Sequence, residues 1–249
     1  MSSIKSTQQG DVQTVYYLGR VAEYLGCGDL LQYLDELLAD DIIIPTFERA
    51  VARIPDWKTK RFSSMFQFRL YRILLYGLVR DLKPRRFVET GVLHGMSSIF
   101  ILRALDQNGT GMLDSIDMPS YFETGPANQD GYVATLPKGK KVGWLVPARA
   151  RKRWRLHLGR SREILPKLLP ASAQIDSFFH DSEHTYETMW FELNFAWSRL
   201  AERGLLMCDN VESNPAFFDF CNRVGRHPLV LPAPDTEYSQ INRFALIRK

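Results

Sequence analysis

Cysteine is scarce in this sequence, and long apolar runs are absent from it. The three cysteines, Cys27, Cys208 and Cys221, are widely spaced and odd in number, so we expect reduced thiols in a cytoplasm rather than a disulfide framework. The longest apolar stretch, Ile73 to Val79, is far shorter than the ~20 residues that span a bilayer. The N-terminus carries no hydrophobic segment of the kind that a secretory signal needs. We therefore expect a cytoplasmic protein that does not associate with membranes.

Internal repeats and low-complexity tracts are also lacking, and the composition is that of an ordinary globular protein. Hydrophobic residues make up 45% of the 249-residue chain and charged residues 24%. Apolar residues at helical spacing between Val12 and Ala39 predict an N-terminal helical segment, residues 1–60, that acts as a lid or joins copies of the chain into a homo-oligomer. The main domain, residues 61–249, opens with a predicted helix from Phe62 to Leu82.

Short apolar strands alternate with helical stretches through the main domain. The predicted strands are Phe87–Val88, Gly111–Met118, Leu156–Leu158, Ile175–Phe179 and Leu205–Cys208, followed by a hairpin of Val230–Leu231 and Phe244–Ile247. Helices are predicted at 97–106 and 162–169, and a further helix is capped by Thr185 and stopped by Gly204. This order predicts an α/β fold, a doubly wound and mostly parallel sheet with an N-terminal helical extension.

A glycine turn follows the first predicted strand in the stretch Arg86 to Ser98, RFVETGVLHGMSS. Strand, glycine turn and helix form a nucleotide-binding corner, because glycine lets a ligand approach the backbone and the helix N-terminus offers free N–H groups. The spacing is Glu-x-Gly-x-x-x-Gly, and the acid Glu89 would repel a pyrophosphate but could accept hydrogen bonds from a cationic amine. The turn therefore favours S-adenosylmethionine over NAD.

Acidic residues also stand at the ends of three later strands. They are Asp117, Asp181 and Asp209, the last followed by Asn210. In an open α/β sheet ligands lie beyond the carboxyl ends of the strands. Like charges that converge there cost free energy unless a cation or a ligand offsets them, so the pattern indicates a binding site.

Five motifs in this order resemble those of the class I S-adenosylmethionine-dependent methyltransferases: VETGVLHGMSS, SIDMP, LGRSREIL, FFHDSEHTY and LLMCDNV. Within that superfamily the chain looks most like the metal-dependent O-methyltransferases of the catechol and macrolide-sugar types. The resemblance runs from about Leu82 to the C-terminus. It implies an enzyme that moves a methyl group from S-adenosylmethionine to a hydroxyl of a small molecule, such as a natural product or a sugar.

The resemblance also implies roles for individual residues. Those assigned to the cofactor are Glu89, Gly91 and Gly95 at its methionine part, Ser97, Asp117 at the ribose hydroxyls, and Gly159, Arg160 and Ser161 near the adenine. Asp181, Asp209 and Asn210 correspond to the ligands of a divalent metal, with Mg²⁺ favoured over Ca²⁺. His184 corresponds to the general base, in a catalytic pair with Asp181. The macrolide type has two acids where this chain has Asp209 and Asn210, which brings the chain nearer to the catechol type.

Other readings of the same residues stay open. Asp117 and the Asp209–Asn210 pair could be ordinary turn residues, and His184 could simply cap the following helix. Eleven Lys or Arg residues and one acid lie between Lys138 and Lys167, which indicates a solvated basic face or an anionic substrate, with nucleic acid a weaker third reading. The alternative functions are a metal-independent methyltransferase of RNA or protein and a non-catalytic module that binds the cofactor.

Overall fold

A seven-stranded sheet forms the centre of the part of the chain that the structure describes. The structure is a computed structural model that describes residues 2–53, 70–118, 136–234 and 241–249. The strands are β1 (Arg86–Thr90), β2 (Met112–Asp117), β3 (Trp154–Leu158), β4 (Ile175–His180), β5 (Leu200–Cys208), β6 (Leu229–Pro234) and β7 (Ile241–Arg248). Their order across the sheet is β3-β2-β1-β4-β5-β7-β6.

The first five strands are parallel, and β7 runs antiparallel to both β5 and β6. Thr90 at the end of β1 pairs with Ile116 of β2 and with His180 of β4, so the carboxyl ends of these strands meet at one edge. The chain order reverses between β1 and β4, and this reversal opens the crevice in which such sheets bind ligands. The predicted doubly wound, mostly parallel sheet is thus confirmed.

Helices cover both faces of the sheet. They are α1 (Ser2–Leu25), α2 (Gln32–Leu38), α3 (Ile43–Arg53), α4 (Leu70–Leu82), α5 (Met96–Gln107), α6 (Ser161–Leu168), α7 (Tyr186–Arg199) and α8 (Ala216–Val224). Side chains alternate between the faces, because successive strand residues point to opposite sides. Phe87 and Phe179 pack with α1 to α5, while Val88 and Phe178 pack with α6 to α8. Each face of the sheet therefore has its own apolar core.

The N-terminal helices share the first of these cores. Leu18, Ile43 and Phe47 are buried against α4 and α5. The predicted helix from Val12 to Ala39 is two helices, α1 and α2, which turn between Leu25 and Gln32. Of the predicted helix Phe62–Leu82, residues 62–69 lie outside the described part of the chain. Among the described helices, none has the length and apolar character that crossing a membrane requires.

Two boundaries in the C-terminal half differ from the prediction. The helix that follows Thr185 ends at Arg199, because β5 begins at Leu200, which pairs with Ile175 before the register shifts. Gly204 therefore lies inside the strand instead of stopping the helix. The helix α8 is not predicted from the sequence, and the N–H of its first residue, Ala216, donates to Asn214 Oδ1 at 2.9 Å.

Candidate active site

The glycine turn after β1 lies directly against the end of β4. Gly91 has φ of 84°, and a Cβ there would come 1.8 Å from the carbonyl oxygen of Asp181. Gly95 also has a positive φ, of 85°, and a Cβ there would come 2.8 Å from Val146 Cγ2. Both glycines are thus required by close packing of the protein on itself. Their predicted contact with the cofactor stays a prediction.

Residues 142–146 pack onto this turn from one side. The N–H of Gly143 donates to Leu93 O at 2.8 Å, and the N–H of Leu145 donates to His94 O at 3.1 Å. The indole of Trp144 donates to His94 Nδ1 at 3.0 Å. Burial lowers the pKa of His94 to about 4, which keeps its imidazole neutral and able to accept this bond. The turn is held in one conformation by these contacts.

Glu89 is completely buried beneath the turn. Its Oε1 accepts hydrogen bonds from the hydroxyls of Ser98 and Ser115, while its Oε2 has no hydrogen-bond partner among the described residues. Burial raises the pKa of Glu89 to about 7. The carboxyl therefore meets protein atoms in this structure and has no exposed surface. Its predicted contact with the methionine part of the cofactor remains a prediction.

Asp117 at the end of β2 is tied to the same turn. Its Oδ2 accepts hydrogen bonds from the N–H of Val92 at 2.7 Å and of Leu93 at 2.8 Å. Burial raises the pKa of Asp117 above its ordinary value, although the two N–H groups act in the opposite direction. Both bonds go to Oδ2, so they leave Oδ1 able to accept a hydrogen bond from a ligand hydroxyl.

The other residues assigned to the cofactor lie at the start of α5 and after β3. Ser97 is buried in the first turn of α5, Gly159 and Ser161 are half-buried, and Arg160 is exposed. Met118 directly follows β2 and is 45% exposed, and Leu158 is the last residue of β3 and is 54% exposed. The sequence analysis did not single out this pair. The signal available was an apolar side chain at each of two neighbouring strand ends.

Asp181, Asp209 and Asn210 leave neighbouring strand ends, as predicted. His180 pairs with Cys208, and the N–H of Asp209 donates to His180 O at 2.9 Å. Asp209 is 2% exposed, and its Oδ1 is buried without a hydrogen-bond partner among the described residues. Asn210 has φ of 52°, a left-handed conformation that asparagine tolerates better than most residues.

The donor atoms of this set suit a hard cation. Asn210 Nδ2 donates to Glu212 Oε1 at 3.2 Å, so the amide presents its oxygen on the other side. A buried and unpaired carboxylate oxygen on Asp209 is costly unless a cation or a ligand meets it. No group of three or more His, Cys, Asp or Glu side chains in the described residues is arranged to hold a metal. The set here has two carboxylates and one amide, and its oxygen chemistry fits Mg²⁺.

His184 lies beside this set, in the loop between β4 and α7. Its ring meets that of His180 edge-on, with centroids 5.4 Å apart. Its backbone carbonyl accepts a hydrogen bond from Asn214 Nδ2 at 2.8 Å. The helix cap is Thr185, whose hydroxyl accepts from the N–H of Thr188 at 3.3 Å, so His184 does not serve as the cap.

Three residues that support the site were missed by the sequence analysis. They are Asn214, Glu212 and Glu192. Glu192 is a fully buried carboxylate on the apolar face of α7. The one signal for it in the sequence is an acid at helical spacing among Met189, Leu193 and Ala196.

Comparisons with known proteins show which proteins this chain resembles. Residues 88–211 match the family model described as a methyltransferase domain. The O-methyltransferase TomG from Streptomyces achromogenes, solved in complex with SAM, superposes with a TM-score of 0.53 at 20% identity over 87% of this chain and 93% of that chain. The SAH-bound methyltransferase PaMTH1 from Podospora anserina gives 0.53 at 17% identity over 84% and 88%. The O-methyltransferase from Bacillus cereus in complex with SAH gives 0.52 at 16% identity over 88% and 96%.

No curated protein matches the chain by sequence. Identities of 16–20% to the solved structures establish the fold, and the family model identifies the domain. The chain therefore has the Rossmann-like fold of the methyltransferase structures that it resembles, and its residues 88–211 match the methyltransferase-domain model.

Proposed function

We propose that this protein is an S-adenosylmethionine-dependent O-methyltransferase that acts on a hydroxyl of a small molecule and uses a divalent metal, Mg²⁺ first. The observation that carries the proposal is that Asp209 lies beside Asp181 at the sheet edge that also holds Asp117, and that its buried Oδ1 has no hydrogen-bond partner among the described residues. The residues that we propose for the cofactor and for the metal thus lie at one edge of the sheet. The structures similar to this chain include O-methyltransferases in complex with SAM or SAH, which supports the cofactor.

The cofactor would bind across β1, β2 and β3. Asp117 would accept the ribose hydroxyls at its Oδ1, and the exposed side chains of Met118 and Leu158 offer apolar surfaces for the adenine. S-adenosylmethionine supplies the methyl group. The glycine turn, which is packed against residues 142–146, would orient the methionine part.

Asp181, Asp209 and Asn210 would hold the metal, and His184 would take the proton of the acceptor hydroxyl. When bound, the cation supplies positive charge that favours the deprotonated acceptor oxygen. His184 lies in the same loop as Asp181, three residues after it. The imidazole suits this task because its ordinary pKa lies near neutrality.

The basic run gives little support to a nucleic-acid substrate. Its cations at Arg149, Lys152, Arg153 and Arg155 each lie within 3.9 Å of an aspartate carboxylate of the same chain. These four cations share three carboxylates, those of Asp41, Asp106 and Asp114, so their charge is offset only in part and less positive charge is left for phosphates. An anionic small molecule remains compatible with the exposed Arg160.

Methyl transfer in the presence and absence of chelator tests the proposal. Purified protein with S-adenosylmethionine carrying a labelled methyl group is offered a panel of phenols and sugars. We expect label in one acceptor class, loss of turnover in EDTA and loss in Asp209→Ala, while Asp35→Ala, an exposed carboxylate on α2, behaves as the parent. His184→Ala should lower the rate by about 10²–10⁴-fold. Full turnover in EDTA would remove the metal from the proposal.

A further inference from the structure

Glu192 is a buried charge for which the apolar core gives no reason. It is 0% exposed and lies on the face of α7 that buries Met189, Leu193 and Ala196. A carboxylate in such surroundings costs several kcal/mol unless hydrogen bonds compensate it, and a leucine would fill the space without that cost. The hydrogen-bond partners of the carboxylate therefore indicate its role.

Both oxygens of Glu192 accept hydrogen bonds from neighbouring elements. Oε2 accepts from Thr90 Oγ1 at 2.5 Å and from His180 Nδ1 at 2.7 Å. Oε1 accepts from Ser182 Oγ at 2.9 Å. The hydroxyl of Ser161 is a further partner. Through these bonds Glu192 connects α7 to four other places in the fold. They are the end of β1, the end of β4, the loop after β4 and the start of α6.

The donors His180 and Ser182 are the two neighbours of Asp181. Each is held by a different oxygen of the same carboxylate, so Asp181 is fixed from both sides. The N–H of Asp181 also donates to the carbonyl oxygen of Thr90, at 2.8 Å, and Thr90 is itself bound to Glu192. The backbone at Asp181 is thus connected to this carboxylate through Thr90 and through both of its sequence neighbours.

The same contacts reach the predicted base. The His180 ring, oriented by its Nδ1 bond to Glu192, packs edge-on against His184 at 5.4 Å. Thr185 then begins α7, the helix that carries Glu192. The loop of residues 181–185 thus runs from β4 to α7, and Glu192 connects these two elements.

We propose that Glu192 is a positioning residue, which holds Asp181 and His184 in the orientation that metal binding and proton transfer require. This inference rests on the proposed function. Supporting groups of this kind typically change metal affinity by about 10–100-fold when they are removed. A carboxylate with a role in stability alone would affect unfolding without this effect on the metal.

The test uses Mn²⁺ as a spectroscopic probe and compares four variants. Ser182→Ala removes the bond from Ser182 Oγ to Oε1, Ser182→Thr keeps a hydroxyl there, and Glu192→Gln alters the carboxylate itself. Ser198→Ala is the control, since Ser198 is an exposed residue of the same helix whose hydroxyl donates to Phe195 O. Mn²⁺ affinity, affinity for S-adenosylhomocysteine and amide hydrogen exchange of residues 181–185 are measured for each.

We expect Ser182→Ala to bind Mn²⁺ about 10–100-fold more weakly and to exchange residues 181–185 faster, with parental affinity for S-adenosylhomocysteine. Ser182→Thr should restore both properties. Parental Mn²⁺ affinity and parental exchange in Ser182→Ala and Glu192→Gln would overturn the inference. A parent protein that binds no Mn²⁺ would overturn the metal part of the proposed function instead, and the exchange data would then decide the inference on their own.

Discussion

Glu89 and Glu192 show how the partners of a buried carboxyl decide its state. Both are completely buried, yet their pKa values move in opposite directions. Burial raises the pKa of Glu89 to about 7, because the hydrogen bonds from two serine hydroxyls lower it by less than burial raises it. Burial also acts to raise the pKa of Glu192, but His180 and the surrounding hydroxyls outweigh it and bring the pKa below its ordinary value. Glu192 is therefore ionised at neutral pH, whereas Glu89 is only partly ionised there.

Glu89→Gln tests this difference through the pH dependence of stability. The folded pKa of about 7 exceeds the ordinary value of 4.5, so the folded state keeps a proton that the unfolded state releases between these pH values. The contribution of Glu89 to stability is thus present at low pH and is lost as pH rises towards 7. Relative to Glu89→Gln, the parent should lose about 2–3 kcal/mol between pH 5 and pH 7.5 in urea denaturation. The exposed Glu187→Gln serves as control and should follow the parent.

Gly91→Ala tests the contact between the glycine turn and Asp181. The new Cβ would lie 1.8 Å from the carbonyl oxygen of Asp181, and φ at this position is 84°. We expect a loss of about 1–3 kcal/mol in stability and a weaker affinity for Mn²⁺. Gly109→Ala is the matched control, because Gly109 also has a positive φ, of 68°, but nothing lies within 4 Å of its Cβ position. Equal Mn²⁺ affinity in both variants would contradict the account of Gly91.

At the scale of elements, the sequence predicts those parts whose burial leaves a periodic signal. Strands such as β1 and β4 are short apolar runs that end at acids, so both the strands and the edge residues Asp117, Asp181 and Asp209 could be placed from the sequence. The support of Asp181 by Glu192 could not, because its donors lie on elements distant in the chain. The start of β5 was missed because pairing with β4 overrides helical spacing there.

Asp40 connects the N-terminal helices to the main domain, and its replacement tests that connection. Its Oδ1 accepts from the N–H of Ile42 and Ile43 at the start of α3, and its Oδ2 accepts from Arg103 Nε of α5 at 2.5 Å. Asp40→Ala should cost about 2–4 kcal/mol, since a helix cap and a buried ion pair are lost together. Asp40→Asn keeps the cap and should cost less. Unfolding in urea measures both, with the exposed Asp35→Ala as the control, and a parental midpoint for Asp40→Ala would refute this role.

At the scale of the whole molecule, the candidate site draws on both cores. The turn after β1 and the ends of β4 and β5 belong to strands whose alternate residues pack into opposite faces of the sheet. The N-terminal helices α1 to α3 complete one of these cores. A ligand that contacts these strand ends therefore stabilises the folded chain as a whole, so global unfolding measures its binding.

Thermal unfolding with added ligand provides that measure and also distinguishes binding of S-adenosylhomocysteine from binding of NAD. A ligand that binds only the folded state at about a hundred times its Kd adds about 2.7 kcal/mol of stability. For a chain of this length 1 kcal/mol shifts Tm by about 2–4 °C, so S-adenosylhomocysteine should raise Tm by about 5–10 °C. NAD should leave Tm unchanged, because the turn has the spacing Glu-x-Gly-x-x-x-Gly and lacks the Gly-x-Gly-x-x-Gly spacing of dinucleotide sites. In Asp117→Ala the shift at the same concentration should shrink, as the ribose contact weakens by about 1.5–3 kcal/mol. A shift with NAD, or none with S-adenosylhomocysteine, would show that the crevice binds a different ligand.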